Sequence, residues 1–257
     1  MTKKKIVSLS LVIALLATLV VGGTMAYFTD SDSAKNTMTM GNVNITQNEK
    51  LKDGSDYIDG QPLMPAVYPE GVDDSNVVAE DGYFDPDIKN LMDKVVTVTN
   101  DAKQGAANQD AYVRTIIAFE TNTIYKAGTN EPYGQKNGDA HWGYINVVGD
   151  FKYLYKDEAK NEFVKITVDG VEYVLAEKVY ETPVAAGATT TPSLKQVFLT
   201  PDAGNEVADL FGETYTILTL SQATQVQGFD SAKEALDAAF GEVNAANAQD
   251  WFVALGY

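Results

Sequence analysis

The chain has 257 residues, with 36 acidic against 19 basic side chains, a formal charge of −17 and no cysteine. So acidic a surface repels nucleic acid and anionic lipid, both of which need a basic face. The absence of thiols excludes disulfides, thiol catalysis, cysteine-ligated metals and a lipid anchor on an N-terminal cysteine.

Residues 1–26 have the order of a secretory leader. Lys3, Lys4 and Lys5 form a positive start, and Ile6 to Val21 is uncharged and apolar apart from Ser8, Ser10 and Thr18. Gly22-Gly23 then breaks the helix, and Thr24-Met25-Ala26 sets small residues at the positions a signal peptidase reads. Cleavage is expected between Ala26 and Tyr27. An uncleaved membrane anchor is the competing reading, but the strictly apolar run is shorter than the ~20 residues that span a bilayer. Loss of the leader removes three lysines and no acid, taking the formal charge from −17 to −20.

Residues 27–257 are expected to form a single secreted domain, since a chain of that size can bury one substantial core without staples. Tyr27 to Met40 is polar behind one aromatic pair. Val43-Asn44-Ile45-Thr46 alternates as a short strand with Val43 and Ile45 inward. Residues 48–93, rich in Asp, Gly and Pro, read as a long irregular insertion.

Val95–Thr99 and the segment from Ala111 to Glu120 are strands. The second is the strongest in the chain: Tyr112, Arg114, Ile116 and Ala118 share one face, and Val113, Thr115, Ile117 and Phe119 the other. Apolar residues on both sides predict a central strand. Arg114 then needs either an exposed sheet face or a carboxylate partner.

Trp142–Val148, Phe151–Tyr155 and Phe163–Val168 follow as strands. Asp169-Gly170 is a two-residue hairpin signal leading into Val171–Leu175. Glu181–Ser193 reads as a small-residue loop, Leu194–Leu199 and Thr214–Gln225 as further strands. One helix is expected over 231–240, with Ser231 and Glu234 as a capping box and Gly241 as its stop. Short strands divided by turn clusters, with one or two short helices, predict a mainly β, jelly-roll-like antiparallel sandwich.

Three stretches carry a resemblance. Gly22 to Thr37, followed by Met40-Gly41-Asn42-Val43-Asn44-Ile45, resembles the leader and mature N-terminus of the SipW-type signal-peptide family of secreted proteins, which takes in TasA-like and camelysin-like biofilm matrix proteins. The strand before Asn100 with Asp110-Ala-Tyr-Val-Arg-Thr115 is similar to that family's central pattern, and Gln225 to Ala235 to its C-terminal strand and helix. Residues 48–93 depart from it. The resemblance implies a dedicated signal peptidase of a Gram-positive-type bacterium, a jelly-roll fold, a matrix or cell-surface location, and fibres built by strand exchange. A segment such as 27–38, with Tyr27, Phe28, Thr37 and Met38, is suited to act as the donor, because a free strand can add to the open edge of a neighbour's sheet.

Camelysin-like relatives also raise a metalloprotease reading. A zincin needs two histidines one helical turn apart with a glutamate base. This chain has one, His141, and no HExxH, GxSxG or Walker-type loop. No enzyme activity is expected. Asp30-Ser31-Asp32, Asp73-Asp74 and the run from Asp81 to Asp87 offer oxygen ligands that Ca²⁺ could use, but none has EF-hand spacing. They read as solvated loop acids, and no cofactor is expected. Trp142, Tyr144, Phe151, Tyr153 and Tyr155 fit sheet packing better than sugar stacking. The function expected is a secreted structural protein that self-associates and meets a membrane only before cleavage. An adhesin or glycan-binding module is the alternative.

Overall fold

The computed structural model describes residues 29–33, 36–39, 43–73, 76–101, 110–121, 145–160, 162–201, 203 and 215–256, the first two stretches as backbone alone. The expected leader over 1–26, Tyr27, Phe28, His141, Trp142 and Tyr144 lie outside the described residues.

The strands in chain order are β1 (Thr29–Ser33), β2 (Asn36–Thr39), β3 (Ile45–Lys50), β4 (Met92–Asn100), β5 (Ala111–Glu120), β6 (Ile145–Gly149), β7 (Lys152–Tyr153), β8 (Tyr155–Asp157), β9 (Glu162–Phe163), β10 (Lys165–Val168), β11 (Val171–Val184), β12 (Leu194–Leu199) and β13 (Ile217–Gln225). Two helices follow, α1 (Ala232–Phe240) and α2 (Ala245–Ala254). The larger sheet has the order β10-β11-β5-β13-β1-β2, with β7 also on β11, and the smaller β3-β4-β12-β6. Their strand pairings are antiparallel. The chain crosses between the two sheets at β2–β3, β4–β5, β5–β6, β6–β7, β11–β12 and β12–β13, so each sheet is assembled from distant segments. This is a mainly β, antiparallel sandwich.

All ten residues of β5 are buried, because both of its faces are covered. Val113, Ile117 and Phe119 face the smaller sheet, meeting Ile45, Val96, Val98 and Leu194. Ile116 and Ala118 face the other way, into a cluster with Val164, Ile166, Leu175, Leu220, the α2 residues Ala248 and Phe252, and Leu255 just beyond that helix. Burying an Ile or Phe side chain contributes roughly 1.5–3 kcal/mol, so this double-sided strand is the anchor of the core. Tyr112 lies under α1, against Ala232, Ala235 and Leu236.

Asp169 and Gly170 adopt φ of 49° and 81°, the paired positive values of a tight hairpin turn between β10 and β11. Strand β11 is longer than its sequence suggests, running to Val184 through Glu181-Thr182-Pro183, which had read as loop. Its pairing with β5 shifts between Tyr180 and Val184. Pro183 sits inside that irregularity, where a residue with no N–H to donate does least harm. The aromatic strand residues pack as core: Phe151 lies 5.3 Å from Phe119 and 5.4 Å from Tyr153, ring centre to ring centre.

Of residues 48–93, expected to be irregular, 48–50 belong to β3 and 92–93 to β4, and the described residues between them cover the outer face of the smaller sheet. They keep a loop backbone with isolated bridges such as Val67 to Lys89 and Val78 to Phe84. Ala66, Phe84 and Ile88 bury themselves around Phe198 of β12, whose ring meets Phe84 edge-on at 4.5 Å. A register shift between Leu194 and Gln196 marks a bulge in β12. Lys195 Nζ donates to the carbonyls of Asp81 and Gly82, and Gln196 Oε1 accepts from the Phe84 amide at 2.8 Å.

The expected helix is α1, with Ser231 as its N-cap accepting from the Glu234 amide. The second helix, α2, begins at Asn244, whose side chain accepts from the Asn247 amide at 2.9 Å.

Candidate functional site at the edge of the larger sheet

Strand β13 takes nine residue pairs with β5 on one side and five with β1 on the other, from Thr29 opposite Thr224 to Ser33 opposite Leu220. The N-terminal segment, read from sequence as a free strand, is thus paired within its own chain. Strand β2 pairs in turn with β1, so Thr37 and Met38 stand opposite Asp32 and Ser31, one strand further from β13. Of the proposed donor residues, Tyr27 and Phe28 lie outside the described residues. The strand in register with β13 is Thr-Asp-Ser-Asp-Ser, without an apolar residue.

Beneath this edge, β13 is polar on both faces. On the side facing the smaller sheet, Gln47 of β3 donates from Nε2 to Thr219 Oγ1 and accepts from Ser221 Oγ, each at 2.7 Å. Thr219 donates to Glu49 Oε1 at 2.7 Å, and Glu49 pairs with the buried ammonium of Lys94. Thr115 Oγ1 and Ser221 Oγ lie 3.2 Å apart. On the opposite face, Gln222 Oε1 accepts from Arg114 Nε at 2.7 Å.

Satisfied buried networks of this kind fix a strand in one position, since displacing it strands several polar groups in a low dielectric. The outward backbone groups of β13 are therefore presented on a rigid strand, whatever chain fills them. Sequence reading noted the alternation of polar and β-branched residues over 214–225 but not this role. The available signal was the placing of Thr219, Ser221 and Gln222 inside a strand with Leu218 and Leu220.

Arg114 is 1% exposed, so the exposed-face alternative is corrected and the carboxylate partner is the one present. Its Nη1 meets Asp237 at 2.9 Å and Glu177 at 3.7 Å. Burial lowers the arginine's pKa against the pull of both carboxylates, and burial likewise raises that of Glu177 against the pull of Arg114. Desolvation therefore outweighs attraction on both sides of the pair. The cluster positions β5, β11, β13 and α1 and has the character of a structural clasp.

Of the acidic clusters read as loops, Asp30-Ser31-Asp32 lies in strand β1, and the run from Asp81 to Asp87 forms turns. Asp81 Oδ1 accepts from the Tyr83 amide and Asp85 Oδ1 from the Asp87 amide, as Asp side chains do in tight turns. Among the described residues, no three His, Asp or Glu side chains converge as metal ligands would, and no helix is long and apolar enough to cross a membrane.

The fold and this edge define an antiparallel sandwich whose larger sheet ends, beyond β13, in its first two described strands, β1 and β2. The family model for Camelysin metallo-endopeptidase matches residues 2–57, a stretch that ends just beyond β3. The link to camelysin- and TasA-like proteins rests on that stretch. No curated protein and no solved structure matches the chain.

Proposed function

We propose that this is a secreted structural protein of the extracellular or biofilm matrix, which assembles into fibres by exchanging its N-terminal strand. The observation that carries the reading is the position of β1, the first described strand, in register on the outer side of β13. A terminal strand can leave and be replaced by the same strand of a neighbour, which restores every main-chain hydrogen bond. Thr29–Ser33 carries no apolar side chain to hold it, while the polar seam behind β13 keeps the acceptor in shape. In this reading a dedicated signal peptidase releases the chain from the membrane, and the partners are further copies or related matrix proteins.

The test is the chain beginning at Tyr27, free of any N-terminal tag, followed by size-exclusion chromatography and negative-stain microscopy. Filaments are expected, and removal of 27–38 is expected to abolish them. A synthetic peptide of 27–40 should then bind the truncated protein one to one. Filaments that persist in the truncated chain would overturn the proposal.

A second reading, a surface binding module, is favoured by one observation. Ile58, Met64, Val67 and Val78, four of the five exposed large hydrophobic residues among the described residues, belong to the loop that covers the smaller sheet. A monomer stable across salt, pH and calcium would favour it. The metallo-endopeptidase of the matched family is the weakest reading for this chain, because a zincin site needs two histidines and the sequence has one, His141. Metal-dependent cleavage of casein by clean recombinant protein would revive it.

A further inference from the structure

The two ends of the larger sheet are finished differently. At one end stands the N-terminal hairpin; at the other, the four-residue strand β10, paired on its inner side with β11. The outer side of β10 faces α2. There Gln249 Oε1 accepts from the Thr167 amide at 2.8 Å, and Gln249 Nε2 donates to the Thr167 carbonyl.

A glutamine carboxamide has the donor and acceptor of a peptide group on a side chain, so one residue takes both bonds that another strand would make. Successive residues of an antiparallel strand turn their backbone groups alternately inward and outward. Since Thr167 faces out, so does Lys165, and those are the two outward positions on β10. Ala248 and Phe252, buried against Val164, Ile166 and Val168, seat the helix that carries Gln249.

We infer that Gln249 holds shut a self-association edge, and that the strand it keeps out is the β10 of a second copy of this chain. The register argues for that occupant. A two-fold axis through Ile166 would set Thr167 of each copy opposite Lys165 of the other, giving two hydrogen-bonded pairs and a continuous sheet across two molecules. The lysines would stand opposite threonines, with no like charges facing. An uncapped edge of this kind is a template for pairing, and closing it confines strand addition to the β13 end. The inference does not rest on the strand-exchange reading, since the two edges are separate.

The experiment uses the chain from Tyr27 and reads hydrogen exchange at the Thr167 amide together with sedimentation velocity. Gln249→Ala keeps a strong helix former on α2, and Gln249→Met keeps the side-chain length if the smaller residue unsettles the helix. Either variant is expected to exchange Thr167 roughly tenfold faster in dilute solution, the equivalent of one net hydrogen bond, and to dimerise with rising concentration. Adding Thr167→Pro should remove the dimer, because proline lacks the N–H while an edge strand tolerates it. That second change leaves the N-terminal segment intact, so fibres formed there would persist and be told apart. Unchanged exchange at Thr167, a dimer that survives Thr167→Pro, or a variant that exchanges faster yet stays monomeric would each overturn the inference.

Discussion

Arg114 Nη2 donates to the carbonyl oxygen of Gly241 at 2.9 Å, so the middle of the central strand grips the C-terminal end of α1. A carbonyl left over at a helix end needs a partner, and here a guanidinium from the sheet supplies it. Three elements meet at that side chain: α1 through Asp237 and Gly241, β13 through Gln222, and β11 through Glu177. The rings of Trp251 and Phe240 lie 5.3 and 5.9 Å from the guanidinium carbon.

Replacement of Arg114 by Met should therefore destabilise the fold by about 3–5 kcal/mol, the usual cost of breaking a buried pair from one side. The loss falls on the groups left behind, Asp237, Glu177 and the Gly241 carbonyl. The double change Arg114→Met with Glu177→Leu should recover part of it, because one stranded carboxylate is then gone. Urea denaturation of the variants, read at constant slope, checks both statements.

The pH dependence has a definite sign. Burial raises the Glu177 pKa above its ordinary value, with Arg114 and Lys233 offsetting part of the rise. In the window between the ordinary glutamate value and the raised one, the folded state holds more protons than the unfolded state. Stability from this group is complete below the window and is lost as pH rises through it. Glu177→Gln should flatten that fall, leaving a smaller slope from Glu120, which burial raises in the same direction. Denaturation midpoints at stepped pH give the measurement. An unaltered slope in Glu177→Gln would count against the burial argument.

Gly149 is required by space. A Cβ there would sit 2.2 Å from the Ser193 carbonyl oxygen, which also accepts from the Asp150 amide at 2.8 Å. Backbone cannot give way as a flexible side chain does, so Gly149→Ala should cost roughly 1–3 kcal/mol, in the range of an overpacked core. The disturbance should centre on the β6–β12 pairing, where Gly149 stands opposite Leu194. Exchange of the amides in β6 and β12, faster in the variant than in the parent, is the expected outcome.

The strands with strong local patterns were legible. Leu194–Leu199 has the bounds its sequence predicts, and Asp169-Gly170 announces its hairpin because few residues accept positive φ at two successive positions. Strand β11 was legible only in its first half. Glu181-Thr182-Pro183 carries loop composition, and what keeps it in the sheet is the length of β5 beside it. Helix α2 was missed because its start, Asn244 followed by Asn247, lacks the capping box that marks α1. The candidate edge was half legible. A strand-like N-terminal segment could be read from the sequence, but not that β1 would be the strand lying on β13, nor that Gln47, Thr219 and Ser221 would brace β13 from behind.

Hydrophobic periodicity, turn residues and helix caps act over a few neighbouring positions, so the sequence by itself determined the mainly β class, the best hairpin, the capped helix and the double-sided burial of β5. The partners of Arg114 and the Gln249–Thr167 contact join residues 63 to 127 positions apart, as Arg114 is from Glu177 and Gly241, and strand order joins segments as distant as β1 and β13. Such contacts exist only after loop closure has been offset by burial of the whole core, and their geometry depends on which strands lie side by side. That is why only the tertiary structure decided which edge of the larger sheet carries β1 and β2 and which is closed by a single side chain.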